Sequence, residues 1–396
     1  MNQRFVTSAL SVVTAAAILL AGCGGGTQPS PDATGGAAAP SGNQVKFAYT
    51  MPLTGDKAEY GVHFSTAAEI ATEMINQSGG IHGKELVVDI YDSKGDPKES
   101  TEIARKVTQN QSYIAALGDF TSSSAMAAAP IYEEAGMVHL SPTASNPDFV
   151  KMGDYQFAMY GTQADDAPYA AEYVIQKYLN HDSVALIYLN TDWGLSALKY
   201  FEERAKKIGL EITAKEPIAE GEKDFTAILS KLKKTNPDCI YIMAYATEVA
   251  NATIQARTSG WDIPIIPSSS AVTDQLIDMM GAHAEGLVTN QVYLLSEEDK
   301  AVWDFAQEFE KRAGIPATYF SFLAYDAVWG LAEAARNAGD NLTREAVKDQ
   351  LKALDINTLL GRLKFDEEGN LRRQYKIVGY QNGRWVELAG YDFMEQ

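Results

Sequence analysis

Ile114-Ala-Ala-Leu-Gly-Asp-Phe-Thr-Ser-Ser-Ser-Ala125 runs a short apolar segment into a hydroxyl-rich helix start. Residues 114–117 suit a buried strand, Gly118 breaks it, and Thr121 to Ser124 put four hydroxyls where a helix should open. The first turn of a helix carries unpaired N–H groups and partial positive charge, so it favours an anion. In open α/β sheets, ligands gather outside the carboxyl ends of the strands. The same hydroxyls also serve an ordinary N-cap, so the stretch takes its meaning from the rest of the chain.

Outward from this stretch, strand-like and helix-like segments alternate. Strands are predicted at 45–51, 86–91, 114–117 and 137–140, with helices at 60–76, 97–107 and from Ser122. Asp96 before Pro97 has the pattern of an N-cap followed by proline in the first turn. A second series follows: helix 167–179, strand 184–189, helix 193–208, then 211–218, 225–232, 240–244, 248–259 and 263–266. Helices are expected at 300–312, 321–337 and 344–353, and strands at 363–366, 375–380 and 385–388. This βα repetition implies an α/β fold with a parallel sheet in each series. A body near 350 residues exceeds one ordinary core, so two lobes with a cleft between them are expected.

The N-terminus reads as a secretion signal: Arg4, then a short apolar core over 9–20, then Ala21 and Gly22. The apolar stretch is short for a membrane span. Leu20-Ala21-Gly22-Cys23 resembles a bacterial lipobox, which makes Cys23 a lipidated first residue of the mature chain after a signal peptide over 1–22. The segment 23–44 is mostly Gly, Ala, Pro, Ser and Thr with one charge, Asp32. It reads as a flexible tether with a typical reach of roughly 25 Å. The expected location is therefore extracytoplasmic, with a folded body lipid-anchored to the cell membrane.

The chain has 52 acidic and 33 basic side chains, a net charge of −19. This argues against a nucleic-acid partner and for a self-repelling, monomeric body. Beyond Cys23 there is only Cys239, in an apolar run, so no disulfide framework is expected and Cys239 reads as a buried thiol. The five histidines, His63, His82, His139, His181 and His283, match no metal-ligand spacing. No Gly-x-Ser-x-Gly elbow or phosphate loop is present. Neither an enzyme nor a metal or other cofactor is expected.

The chain resembles the type I periplasmic binding proteins of the leucine/isoleucine/valine-binding group, the solute receptors of ABC importers. The resemblance rests on Pro52-Leu-Thr-Gly55 with Tyr60-Gly61, Ile75-Asn-Gln-Ser-Gly-Gly-Ile81, Asp92 with Asp96-Pro97, and residues 118–124. Ser141-Pro-Thr-Ala-Ser-Asn-Pro147, Glu220-Gly-Glu-Lys-Asp-Phe225 and Ala284-Glu-Gly286 continue it in order. It implies two Rossmann-like lobes joined by a three-segment hinge, with crossings near 162–164, 292–294 and 357–360. The N-lobe would take 44–163 plus 293–358, and the C-lobe 164–292 plus 359–396. The partners implied are a small-molecule ligand and a membrane permease.

The resemblance also implies a pocket. Ser122, in the hydroxyl-rich turn beside Thr121, would hold the ligand carboxylate. Ser145 would serve carboxylate and amine, and the Thr143 carbonyl would accept from the ammonium. Tyr60 would form an aromatic wall, and Trp193 and Tyr245 would swing in on closure. The disulfide positions of the group correspond to Gly95 and Thr121, so that bond is absent here. The carboxylate expected to meet the ligand ammonium falls in Pro267-Ser-Ser-Ser270, at Ser269. Either another acid compensates, with Asp119, Asp165 and Glu248 as candidates, or the ligand is an amide, urea or aromatic acid. A sensory receptor is the other reading.

Overall fold

A computed structural model describes residues 42–295, 298–340 and 342–391. The signal segment, Cys23 and nearly all of the tether lie outside these residues. The first sheet holds β1 (Gln44–Met51), β2 (Glu85–Asp92), β3 (Tyr113–Leu117), β4 (Val138–Ser141) and β5 (Gln156–Ala158). Its order is β2-β1-β3-β4-β5 and every pairing is parallel. All five β3 residues are buried, as expected of a central strand covered on both faces. The crossover helices are α1 (Ala58–Gln77), α2 (Pro97–Gln109) and α3 (Ser122–Glu134). The Asp96 carboxylate caps α2 by accepting from the N–H groups of Lys98 and Glu99.

The chain then enters α4 (Gln163–Tyr169) and builds a second parallel sheet. Its strands are β6 (Ser183–Leu189), β7 (Glu211–Ile218), β8 (Cys239–Met243) and β9 (Ile265–Pro267), in the order β7-β6-β8-β9. Its helices are α5 (Asp192–Ile208), α6 (Thr226–Lys233), α7 (Ala246–Thr258) and α8 (Asp274–Met280). After β10 (Val288–Gln291), α9 (Lys300–Ala313), α10 (Tyr319–Asn337) and α11 (Arg344–Lys352) follow, with α10 packed on α1 and α11 on β3 and β4. The hairpin β11 (Ile356–Thr358) and β12 (Gly361–Leu363) leads to β13 (Lys376–Gln381) and β14 (Arg384–Gly390). These last two strands form an antiparallel sheet with β10, which lies beside β9. The chain thus passes between its two halves three times.

Two predicted elements differ. The helix expected over 167–179 is α4 followed by a wide π-type helix over Ala170–Tyr178, where the Leu179 N–H reaches the Val174 carbonyl. Pro168 lies inside α4, where it offers no N–H to the helix, and the change to the wider geometry comes two residues later. The strand expected over 363–366 ends at Leu363, because Asp366 closes a turn by accepting from the N–H groups of Glu368 and Asn370. Strands β5, β10 and β11 are only three or four residues long and carry too little periodicity to be read in advance.

Candidate functional site: a cleft between the two sheets

The carboxyl ends of β3 and β4 frame one end of the cleft. Gly118 sits at φ +111°, and a Cβ there would lie 2.1 Å from the Thr50 carbonyl oxygen, so only glycine fits this turn. Thr121 is the N-cap of α3: its Oγ1 accepts from the Ser124 N–H at 3.2 Å. Ser122, buried in the first turn, accepts through Oγ from the N–H groups of Ser145 (3.3 Å) and Asn146 (3.2 Å). The Thr143 hydroxyl donates to the Phe120 carbonyl at 2.9 Å. The turns after β3 and β4 are therefore stitched together at the positive end of a helix, a setting that suits an anion.

An aromatic cluster fills the next part of the cleft. Tyr60 of α1 stacks on Phe120 with ring centroids 4.2 Å apart and meets the edge of Phe320 at 5.0 Å. From the second half, Tyr245 precedes α7 and Trp193 lies in the first turn of α5; their rings stack at 5.3 Å and 17°. Tyr245 reaches Phe120 at 5.3 Å and Tyr60 at 6.0 Å. The Tyr60 hydroxyl donates to the Ser270 carbonyl at 3.3 Å. Tyr245 thus touches both Tyr60 and Trp193, and Ser122 meets Ser145, while Thr143 is tied to Phe120. Phe120 lay unused inside the opening stretch, and Phe320 gave no sequence signal because α10 is apolar nearly throughout.

Ser269 lies on the opposite wall, and its hydroxyl is bound to a carboxylate: Ser269 Oγ donates to Asp166 Oδ2 at 2.7 Å. Asn290 Nδ2 donates to Asp166 Oδ1, and Gln163 Nε2 lies 3.4 Å from Asp166 Oδ2. The same Gln163 nitrogen donates to Ser145 Oγ at 3.1 Å. Tyr160 OH lies 3.2 Å from Ser269 Oγ. Burial raises the Asp166 pKa against the pull of its hydrogen bonds. The three acids named as replacements are engaged elsewhere. Asp119 accepts from Ser100 Oγ at 2.5 Å, and Asp165 pairs with Arg372 at 3.0 Å. Glu248 Oε1 accepts from the Gly221 N–H at 2.8 Å. Asp166 escaped the sequence reading because its contact with Ser269 spans 103 residues.

The rim is closed by polar contacts between the halves. Lys57 Nζ pairs with Glu220 Oε2 at 2.7 Å, and Asn146 Nδ2 donates to the Asp192 carbonyl at 3.0 Å. The Asp192 N–H donates to Ser123 Oγ at 3.3 Å, and Thr273 Oγ1 donates to Glu59 Oε2 at 3.2 Å. Burial first, then the charges of Glu248 and Asp274, raise Glu59 to about 7. Among the described residues, no group of His, Cys, Asp and Glu has a metal-holding arrangement. His63 and His139 are buried, and desolvation lowers each to about 4. Cys239 is a buried thiol whose pKa burial pushes up.

Comparison with known proteins bears on this architecture. A family model described as periplasmic binding protein matches residues 44–384. The Leu/Ile/Val-binding protein homolog 1 of Brucella abortus is 28% identical over 349 residues, covering 87% of this chain and 92% of its own. The leucine-specific-binding protein of Salmonella typhimurium is 29% identical over 334 residues, covering 83% of this chain and 89% of its own. The branched-chain amino acid transporter substrate binding protein of Streptococcus pneumoniae, solved in complex with isoleucine, superposes with a TM-score of 0.79. It is 26% identical and covers 87% of this chain and 99% of its own.

Proposed function

Because this chain belongs to the periplasmic binding protein family, we propose that it is the solute-binding receptor of an ABC importer, taking a small carboxylate-bearing solute, an amino acid first, between two lobes. One observation carries this reading. The stitched hydroxyl turn at Ser122 and Ser145 comes from one half of the molecule, while Trp193 and Tyr245 come from the other. A ligand in the cleft touches both sets only when the halves are together, so binding selects the closed form. Ser122 and Ser145 then hold the carboxylate, with the Thr143 carbonyl facing the amine. Tyr60, Trp193 and Tyr245 enclose the side chain, and Thr121 fixes the helix start that presents the anion site.

The lobes in this reading are 44–163 plus 293–358 and 164–292 plus 359–396, hinged near 162–164, 292–294 and 357–360. The closed receptor docks as a monomer on a membrane permease, held to the cell membrane by lipid on Cys23, and it performs no catalysis. A thermal-shift screen with amino acids, short amides and aromatic acids tests the function. A ligand at 100 times its dissociation constant stabilises by about 2.7 kcal/mol. A screen in which no amino acid raises the melting temperature rejects the proposed ligand class.

A further inference from the structure

We propose that Asp166 is the carboxylate that receives the cationic end of the solute, which makes the solute a zwitterionic amino acid held between Asp166 and the Ser122–Ser145 turn. This rests on the receptor reading above. Asp166 is 1% exposed, and the groups that reach its carboxylate, Ser269 Oγ, Asn290 Nδ2 and Gln163 Nε2, are all neutral donors. Among the described residues no ion pair reaches it; the arginine at hand, Arg372, pairs with the neighbouring Asp165. A buried carboxylate without a cation is unfavourable unless its charge is met from elsewhere.

A second observation points to a missing donor. Asn290 Oδ1 and Gln291 Oε1 are buried and have no hydrogen-bond partner. Asn290 holds Asp166 through its amide nitrogen, so its free oxygen lies beside the same carboxylate. Gln291 holds Ser269 by donating to its carbonyl at 2.6 Å. The Asp166 carboxylate, the unpaired Asn290 oxygen beside it and the Tyr160 and Ser269 hydroxyls form a wall rich in acceptors. An ammonium offers three N–H donors and no acceptor, which is the complement of such a wall.

The spacing fits an α-amino acid. Gln163 Nε2 touches both Ser145 Oγ and Asp166 Oδ2, so these oxygens are no further apart than two hydrogen bonds laid end to end. The carboxylate and ammonium of an α-amino acid are joined through a single carbon, so one molecule can reach both. Glu248 is the rival acid, since its Oε2 is also buried and unpartnered. However, Lys57 acts on it as a cation within the protein, and its other oxygen fixes the Gly221 loop.

The test is titration calorimetry on the purified chain with the amino acid that the thermal-shift screen ranks first and with the same acid lacking its amino group. Wild type should bind the amino acid at least 100-fold more tightly. Asp166→Asn, nearly isosteric, should weaken the amino acid at least tenfold and leave the deaminated acid within twofold. Glu248→Gln should keep the wild-type discrimination. Undiminished discrimination in Asp166→Asn overturns the proposal, as does parallel loss of both ligands at an unchanged melting temperature. Should Asp166→Asn not fold, the wild-type comparison still decides: a wild type indifferent to the amino group overturns the proposal while leaving the receptor standing. A wild type that binds no amino or carboxylic acid rejects the receptor reading itself.

Discussion

Lys57 and Glu220 meet at 2.7 Å across the mouth of the cleft, joining the loop before α1 to the loop after β7. The Lys57 side chain is 11% exposed and that of Glu220 34%, so the pair is only partly screened by water. In the proposed hinge motion the pair forms as the two halves approach. Lys57→Ala or Glu220→Ala should therefore speed ligand release roughly three- to fivefold, as expected for a pair worth up to about 1 kcal/mol. Stopped-flow dissociation measures this, and the double exchange Lys57→Glu with Glu220→Lys should recover part of the loss.

Ser122 serves two N–H groups of the turn after β4. Ser122→Ala leaves both buried without an acceptor and should lower stability by about 1–3 kcal/mol. Ligand affinity should fall by at least tenfold in the same variant. Thermal melting and calorimetry together separate the two effects, and a variant with unchanged affinity would remove Ser122 from the proposed anion site.

Trp193 contributes through its stack on Tyr245. Such a pair adds about 0.5–1.5 kcal/mol beyond the area it buries. Trp193→Ala should reduce affinity more than Trp193→Phe, because phenylalanine keeps a ring on the Tyr245 face. Equal affinity in both variants would mean that the ring encloses nothing in the closed form.

Glu59 supplies a pH dependence. Its folded pKa, about 7, is raised from 4.5 by burial, with Glu248 and Asp274 adding to the rise and Thr273 and Tyr60 opposing it. A raised carboxylate pKa means the folded state binds the proton more tightly than the unfolded one. The stabilisation is fully present below about pH 4.5 and is lost as pH rises through 7. Asp274, raised to about 6 by burial and by Asp278 and Glu310, acts in the same direction. The buried His63 and His139, each lowered to about 4, work oppositely: their contribution is present above 6.5 and lost as pH falls through 4. The alkaline decline in melting temperature should be shallower in Glu59→Gln, which a scan from pH 4 to 9 reads directly.

Gly118→Ala tests the turn itself. The added Cβ meets the Thr50 carbonyl and the residue stands at φ +111°, so the strand end must shift. Destabilisation of at least 2 kcal/mol is expected, on the order of a strained backbone site. Denaturant melts give this value.

Much of the fold was legible because its causes are local. The first parallel sheet, the Asp96 cap and the opening of α3 follow from apolar runs, capping residues and breakers within a few positions. The short strands β5 and β10 were not legible, because three or four residues carry no period and their pairing partners are far along the chain. The residues of the hydroxyl turn and the aromatic walls could be named from the resemblance, but the contacts they make with one another could not. Thr121 caps α3, while Ser122 braces the neighbouring turn. Lys57, Gln163 and Phe120 gave no signal of their own.

The sequence by itself determined the alternation of strand and helix, the hydroxyl-rich turn at the end of β3 and the apolar run around Cys239, since these depend on neighbours in the chain. Only the tertiary structure decided which acid stands behind Ser269. Asp165 and Asp166 are adjacent and chemically alike, yet one turns to Arg372 and the other is buried against Ser269 and Asn290. Sequence pattern cannot separate them, because the difference lies in where three distant segments cross. In that crossing, burial and hydrogen bonding single out one carboxylate.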